Sequence, residues 1–433
     1  MEGPLRILTA NLGLKHSTEI DTVMRHGAYE ALIKAMTKMT PEQVLNEVKA
    51  ANLKGRGGAG FPAGIKWSFL PKGKDKAKYL VCNADESEPG TFKDRLIIEN
   101  DPHKIIEGMI IAGYATQSSG GFIYIRGEMP HGAKILQKAI SQAYDRHFLG
   151  KNILGSGLDF DLWLVRGAGA YICGEETALM NSIEGKRGEP RIKPPFPAGY
   201  GVYGNPSNIN NVETYANVPY IIANGGESYA SIGSKDTPGT RLFGISGHVK
   251  NPGLFELPST VTLRELIYAH AGGILGDRKL KAVIPGGSSV PVLRADQIDV
   301  AMDAAGMKTV GSMAGSGGVI VMNESVCMVK ALANLMQFYA HESCGQCTPC
   351  REGTHWLKQI VESIERGEGR EGDCDLILRV CRNIMGRTIC PLGDAAAMPA
   401  ESFVKQFREE FEFHIREKRC LPETMRMTTI YSG

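Results

Sequence analysis

The chain has 433 residues, of which 42% are hydrophobic and 22% charged, and a formal net charge of +2 at pH 7. This is the balance of an ordinary globular protein with mass for about two to four domains. It contains no run of the ~18 apolar residues that a membrane span needs, and residues 1–10 carry no secretory h-region, so an intracellular protein is expected. The small net charge, with no large basic block, argues against nucleic acid as the main partner.

In chain order, residues 17–53 read as helix, with Ser17 or Asp21 as candidate caps and a restart at Thr40-Pro41-Glu42, where threonine caps well and proline suits the first turn. This helical preface runs into Gly55-Arg56-Gly57-Gly58-Ala59-Gly60-Phe61-Pro62-Ala63-Gly64-Ile65-Lys66-Trp67. Its glycines free the backbone for positive φ and let amides close on a ligand without a Cβ in the way, while Arg56 and Lys66 bracket them with positive charge. The pattern suits a phosphate. The literal G-x-G-x-x-G at Gly55, Gly57 and Gly60 does not meet the dinucleotide fingerprint, which needs a strand before it and a helix starting inside it. Here Val44, Leu45, Val48 and Leu53 have helical spacing and Phe61-Pro62 follows directly. The reading is a glycine-rich loop entered from a helix and cradling a nucleotide or flavin phosphate; the alternative is a structural glycine turn.

Lys78-Tyr79-Leu80-Val81-Cys82 suits a buried strand, ending in the polar Asn83-Ala84-Asp85-Glu86-Ser87-Glu88-Pro89-Gly90. Polar residues at the carboxyl end of a strand are where α/β folds place ligand sites. Asp101-Pro102 caps a helix to about Gln117, Gly121–Arg126 is a strand, Pro130–Leu149 a helix and Phe160–Val165 a strand. This β-α-β-α-β order predicts an α/β layer. The last strand enters a second glycine-rich turn, Gly167-Ala168-Gly169-Ala170-Tyr171-Ile172-Cys173-Gly174-Glu175-Glu176, which faces the same way as the Asn83 loop if the sheet is parallel. Residues 187–211 are rich in Pro, Gly and Asn, lack periodicity and read as a long functional loop, ending where Asn210 or Asn211 can cap a helix through Ala223.

Composition shifts near residues 231–239. Arg241–Val249 and Gly253–Leu257 suggest a hairpin, Leu263–Ala271 an amphipathic helix, and Lys281–Pro285 and Val319–Met322 further strands, together a compact unit resembling a β-grasp. From Glu324 to about Arg419 the chain reads as helical segments.

Of the ten cysteines, Cys82, Cys173 and Cys327 stand isolated in apolar surroundings, whereas the others cluster after residue 340 and read as metal ligands rather than as a secreted disulfide framework. Cys344-Gly-Gln-Cys347-Thr-Pro-Cys350 has the C-x₂-C-x₂-C spacing of ferredoxin-type 4Fe–4S sites, while structural zinc favours paired C-x₂₋₄-C units. The fourth ligand comes from Cys374, Cys381, Cys390 or Cys420, and spacing alone does not choose. Cys374 and Cys381 fall on one apolar helical face and suit core packing; Cys390, off the helix and followed by Pro391, is preferred. His341 is close enough to ligate, but a loop histidine beside a cluster more often hydrogen-bonds or is solvated.

The motifs 55–62, 83–86, 169–176 and 342–347 together closely resemble those of the F-type, NADH-binding flavoprotein subunit of respiratory complex I (NADH:quinone oxidoreductase), and of related subunits of NAD-linked hydrogenases and formate dehydrogenases. The resemblance spans about Leu12 to Arg419. It implies an α/β protein with an N-terminal helical segment and FMN loop (1–70), a Rossmann-like FMN/NADH domain (71–238), a β-grasp, ubiquitin-like domain (239–323) and a C-terminal helical bundle carrying a 4Fe–4S cluster (324–433). It implies FMN with its phosphate near Lys66, Asn210, Asn211 and Thr214, and its ring and ribityl chain near Gly55, Gly57, Gly58, Gly60, Asn83, Asp85, Tyr171, Gly174 and Glu175. It implies NADH stacked over the flavin, its adenine between Phe61, Phe69 and Phe196, with polar contacts from Glu86, Glu88, Glu176 and Lys193. Cys344, Cys347, Cys350 and Cys390 are then the cluster ligands.

Aromatic faces suit adenine, and Asn and Thr suit phosphate oxygens. The bland alternatives are core packing for each phenylalanine and a solvated acidic loop for Glu86 and Glu88. NADH would deliver a hydride to the flavin and the cluster would accept electrons singly, a two-to-one conversion needing no protein nucleophile. The implied setting is a proton-translocating complex, with a thioredoxin-like 2Fe–2S subunit and a larger iron–sulfur subunit as partners. The chain would sit on the cytoplasmic face of the bacterial inner membrane without inserting into it. The alternatives are the diaphorase subunit of an NAD-linked hydrogenase or formate dehydrogenase and, from another class, a zinc-stabilised module holding a regulatory nucleotide.

Overall fold

In the computed structural model, which describes residues 5–73 and 76–421, the chain divides into two units. The first takes residues up to 87, 92–243 and 256–260; the second takes 88–91, 244–255 and the chain from 261 onward.

The first unit opens with helices α1 (Ile20–Met24), α2 (Glu30–Lys38) and α3 (Pro41–Ala50). Thr40 starts α3 through a capping box: its Oγ1 accepts from Gln43 N at 3.2 Å, and its own amide donates to Gln43 Oε1 at 2.8 Å. After the glycine loop comes a short helix, α4 (Ala63–Ser68), that the sequence pattern did not announce. There follow β1 (Tyr79–Ala84), α5 (Lys93–Asn100), α6 (Pro102–Thr116), β2 (Gly120–Ile125), α7 (Pro130–Asp145), β3 (Asp161–Arg166), α8 (Glu176–Ile183), β4 (Ser207–Asn211), α9 (Val212–Asn224), α10 (Gly226–Ala230) and the small pair β5 (Gly233–Ser234) and β6 (Thr237–Pro238).

The sheet order is β3-β2-β1-β4 with every pairing parallel; Leu80 of β1 faces Gly121 of β2 on one side and Asn208 of β4 on the other. The core is made by β1 and β2 with α6, in which Ile105, Ile106, Met109, Ile110 and Ile111 are all buried. A Cβ on Gly108 would lie 2.1 Å from the Tyr215 carbonyl, so glycine is what lets α6 approach α9. Asp101, expected to cap α6, makes no side-chain cap; its carboxylate instead accepts from Asn11 Nδ2 at 2.9 Å and pairs with Lys104.

Strand β4 lies inside the stretch expected to be loop. Its sequence, Ser-Asn-Ile-Asn-Asn, has no apolar alternation because its buried amides bond within the protein: Asn208 Nδ2 donates to the Lys66 carbonyl and Asn210 Nδ2 to Asn208 Oδ1, both at 2.8 Å.

The second unit carries most of a five-stranded mixed sheet, β10-β9-β11-β7-β8, from β7 (Thr240–Gly247), β8 (Gly253–Pro258), β9 (Leu280–Ile284), β10 (Leu293–Arg294) and β11 (Gly318–Asn323). Strand β11 runs parallel to β7 and antiparallel to β9. Helix α11 (Leu263–Glu265), opened by a Thr262–Glu265 capping box, and α12 (Ala304–Thr309) accompany the sheet. Five longer helices complete the unit: α13 (Met328–Glu342), α14 (Thr348–Glu365), α15 (Asp373–Ile384), α16 (Leu392–Gln406) and α17 (Arg408–Glu417). An α/β protein with a Rossmann-like sheet, a β-grasp-like unit and a helical bundle is what these elements form.

Candidate functional site

In a parallel sheet ordered β3-β2-β1-β4, β1 connects onward to β2 on one side while β4, which follows β3 in sequence, lies on the other, and the crevice between β1 and β4 is the switch point where open α/β sheets hold ligands. Asn83 and Asn211 form the last register pair between these two strands. Asn83 Nδ2 donates to the Gly174 carbonyl at 2.8 Å and Asn83 Oδ1 accepts from Asp85 N at 3.1 Å, tying the second glycine turn, with Tyr171 half-buried in it, to the first strand end.

The glycine loop lies at the same edge. It is pinched shut by Gly55 N donating to the Phe61 carbonyl at 2.9 Å and Ala63 N to the Leu53 carbonyl at 2.8 Å. A Cβ on Gly57 would come 3.3 Å from Asn211 Cβ, so the loop backbone abuts the end of β4. Gly58 and Gly60 have φ of +119° and +67° and would send a Cβ into open space. That is a backbone cradle a ligand can enter, and it fits a flavin phosphate.

Arg56 does not belong to the cradle's charge. It is buried, its Nη2 donating to the Pro238 and Thr240 carbonyls and to Tyr229 Oη at 2.6, 3.2 and 3.1 Å, while its backbone N donates to Thr214 Oγ1 at 2.9 Å. An arginine flanked by glycines points whichever way the fold needs, and here it braces the loop from inside. Thr214 and Asn210 are buried as well, the latter bonded to Asn208.

The positive charge facing the site comes from Lys66 and Lys193. Lys66 Nζ donates to Glu176 Oε2 at 3.0 Å and to the Ile209 carbonyl at 2.8 Å; Lys193 Nζ donates to Glu176 Oε1 at 2.7 Å and Glu175 Oε1 at 3.2 Å. Burial pushes the Glu176 carboxyl up, but the two lysines outweigh it and hold it below the usual carboxylate range. Glu175 also caps α8, its Oε2 accepting from Thr177 N at 2.8 Å and Ala178 N at 3.0 Å.

Glu86 is neither solvated nor open. It is buried, and its carboxylate accepts from Asp94 N at 2.7 Å and Arg95 N at 3.0 Å, supplying the cap that Phe92 cannot give to α5. Burial, and then the nearby Asp94, push its carboxyl up to about 7. Beside it lies a buried charge cluster that sequence reading missed: Lys93 Nζ is 2.7 Å from Asp94 Oδ1, 2.9 Å from Glu213 Oε2 and 3.0 Å from Asn211 Oδ1. Nothing in Phe92-Lys93-Asp94 marks these charges as internal, since pairing across elements is what makes their burial tolerable.

Phe61, Phe69 and Phe196 are 47%, 57% and 61% exposed, so none is a core residue; the Phe61 and Phe69 rings lie with centroids 6.0 Å apart. Glu88 belongs to the second unit, where its Oε1 accepts from Ser289 N at 2.7 Å and Ser288 Oγ at 3.3 Å.

In the second unit, Cys344, Cys347 and Cys350 occupy the link from α13 into the first turn of α14, and Cys390 lies between α15 and α16. Cys344 and Cys347 are half-exposed; Cys350 and Cys390 are buried. Burial, with the neighbouring Cys347 and Cys344 adding to it, pushes the Cys350 thiol up to about 11, against a 3.2 Å contact with Ser343 Oγ that lowers it. An all-thiol set of this kind fits an iron–sulfur cluster. Cys374 and Cys381 are buried on α15, as expected for core packing. Cys327 is not isolated in apolar surroundings: its Sγ lies 3.3 Å from His414 Nε2. His341 is exposed. Among the described residues no helix is long and apolar enough to cross a membrane.

Residues 48–220 match the family described as "Nuo51 FMN-binding domain", 241–321 the "SLBB domain", and 330–414 the "NADH-ubiquinone oxidoreductase-F iron-sulfur binding region". Fold and matches together define an oxidoreductase with FMN and a 4Fe–4S cluster as its cofactors. The chain is 50% identical to the second NADH-quinone oxidoreductase F subunit of Rhizobium meliloti over 96% of its own length and 98% of that protein. It is 48% identical to the NADH-quinone oxidoreductase F subunit of Streptomyces coelicolor over 96% and 92%. A solved NAD+-reducing [NiFe]-hydrogenase in the H2-reduced state superposes with a TM-score of 0.82 at 33% identity, over 94% of this chain and 69% of that one. The chain belongs to the F-subunit family of NADH-quinone oxidoreductase, and so to the components of a multi-subunit complex.

Proposed function

We propose that this chain is the NADH-oxidising subunit of a respiratory complex I, with nucleotide and flavin meeting at the β1/β4 switch point. The observation that carries this reading is the open backbone cradle at Gly58 and Gly60, set against the end of β4. FMN, when bound, would supply a hydride acceptor for NADH, and the 4Fe–4S cluster would supply a one-electron acceptor.

The chain's own residues position and insulate. Gly55, Gly57, Gly58 and Gly60 bring backbone amides to the flavin phosphate, with Lys66 as the neighbouring cation and Asn210, Asn211 and Thr214 shaping the cradle from behind. Asn83, Asp85, Tyr171, Gly174 and Glu175 line the ring. Phe61, Phe69 and Phe196 offer aromatic faces to the adenine, and Lys193 and Glu176 supply the polar frame. Cys344, Cys347, Cys350 and Cys390 hold the cluster. No side chain is required to act as nucleophile or acid.

The domain division 1–70, 71–238, 239–323 and 324–433 belongs to the same proposal. So do a thioredoxin-like 2Fe–2S subunit and a larger iron–sulfur subunit as partners, and a peripheral position on the cytoplasmic side of the inner membrane. The likeness to the NAD+-reducing hydrogenase supports a second reading, as a diaphorase subunit. The higher identity to the quinone-reductase relatives over nearly the whole chain favours the first.

The test is an anaerobic NADH titration of the purified protein, followed by flavin absorbance and then by low-temperature electron paramagnetic resonance. Bleaching of a flavin band on NADH addition supports the reading. Absence of a flavin band, with zinc in place of iron, overturns it.

A further inference from the structure

Among the described residues, Cys327, His414 and Cys420 place Sγ, Nε2 and Sγ within 4.8 Å of one another. His414 and Cys420 stand together at the end of α17, and Cys327 lies 87 residues before His414. Cys327 is the N-cap of α13, its Sγ receiving Lys330 N at 3.5 Å; His414 is fully buried on α17; Cys420 lies just beyond the end of α17. The chain reaches Cys420 through Lys418, which adopts the left-handed conformation with φ of +58° and is fastened by its Nζ to the Gly369 carbonyl.

The setting is fixed independently of these three residues. Glu410, one turn before His414, accepts from Met328 N at 2.9 Å with one oxygen and lies 2.7 Å from Lys281 Nζ with the other. This clamps α17 to the start of α13 and uses both oxygens of the nearest carboxylate. Three donors remain among the described residues.

We propose that Cys327, His414 and Cys420 form a zinc site separate from the iron–sulfur cysteines, pinning α17 to the start of α13, the helix that leads to Cys344. Two thiolates and one imidazole are the N/S donor set that zinc takes, and donors about 2.0–2.3 Å from a tetrahedral ion stand roughly 3.5 Å apart. The 3.3 Å between Cys327 Sγ and His414 Nε2 is close to that spacing. Binding releases one proton from each thiol to solvent while His414 offers the Nε2 lone pair. Zn²⁺ with two thiolates and a neutral imidazole carries no net charge, which suits a buried position. Cys420 is half-exposed, giving the ion a way in and a fourth position for water.

The test is metal analysis of the full-length, flavin-loaded and cluster-loaded protein, equilibrated with zinc sulfate and desalted against a weak chelator. Wild type is expected to retain about one zinc per chain, with sulfur and nitrogen scatterers in the zinc-edge absorption spectrum. Cys327→Ser and Cys420→Ser should each lose that zinc while keeping wild-type iron and flavin; Cys420→Ser, at a half-exposed position, guards against a folding defect at Cys327. The zinc should persist in Cys347→Ala. Failure of wild type to hold zinc, zinc retained in Cys420→Ser, zinc lost with Cys347→Ala, or a Cys327–Cys420 disulfide in the isolated protein would each overturn the assignment. None of these readouts depends on NADH oxidation, so the site can fail while the redox function stands.

Discussion

Lys66 Nζ lies 3.0 Å from Glu176 Oε2, and that bond, with a second to the Ile209 carbonyl, uses two of the three donors of its ammonium group. The cation beside the glycine loop is therefore already oriented, and its charge is partly balanced before a phosphate arrives. Pre-orientation reduces the side-chain entropy lost on binding.

Lys66→Ala is expected to weaken FMN binding about tenfold or more, the scale of one charge-assisted hydrogen bond. Flavin fluorescence titration of deflavinated protein measures it. An affinity within twofold of wild type would mean that Lys66 serves only to hold Glu176.

Phe69 and Phe196 are exposed, so replacing either with alanine should leave the melting temperature within a degree or two of wild type. Loss of one stacking face is worth about 0.5–1.5 kcal/mol, which raises KM for NADH about two- to tenfold with little change in kcat. Steady-state rates with an artificial one-electron acceptor separate the two parameters. A fall in kcat at unchanged KM would remove the residue from the nucleotide site.

Cys347→Ala is expected to abolish the 4Fe–4S resonance signal while NADH oxidation by an artificial acceptor stays largely intact, because the flavin site lies in the first unit and the cysteines in the second. Retention of the signal would sink the ligand assignment.

Glu107 is buried on α6 and accepts from Leu32 N at 3.1 Å; burial pushes its carboxyl from 4.5 up to about 7. The folded state thus binds more protons than the unfolded state between these values, and this group's contribution to stability falls as pH rises from about 4.5 through 7. Glu107→Gln keeps an oxygen for Leu32 and removes the charge. It should raise unfolding free energy at pH 8 by about 1–3 kcal/mol and flatten the pH profile over that window. Urea titrations at pH 5 and pH 8 check it; an equal effect at both would rule out the ionisation.

The local chemistry of this chain could be read directly. Thr40-Pro41 starts a helix, apolar runs make β1 and β2, glycines at 55–60 make a loop, and C-x₂-C-x₂-C falls where α13 passes into α14. Each depends on neighbours within a few residues, whose spacing is visible in one dimension. Tertiary packing decided whatever depended on a distant partner. It turned Arg56 inward to the Pro238 and Thr240 carbonyls and gave Glu86 to the amides of α5. It made a strand of Ser207–Asn211 because β1 offered it a parallel partner, and it set Cys327 against His414, 87 residues away. Burial of a polar group is a property of the pair that satisfies it, and the partner's distance along the chain carries no periodic signal.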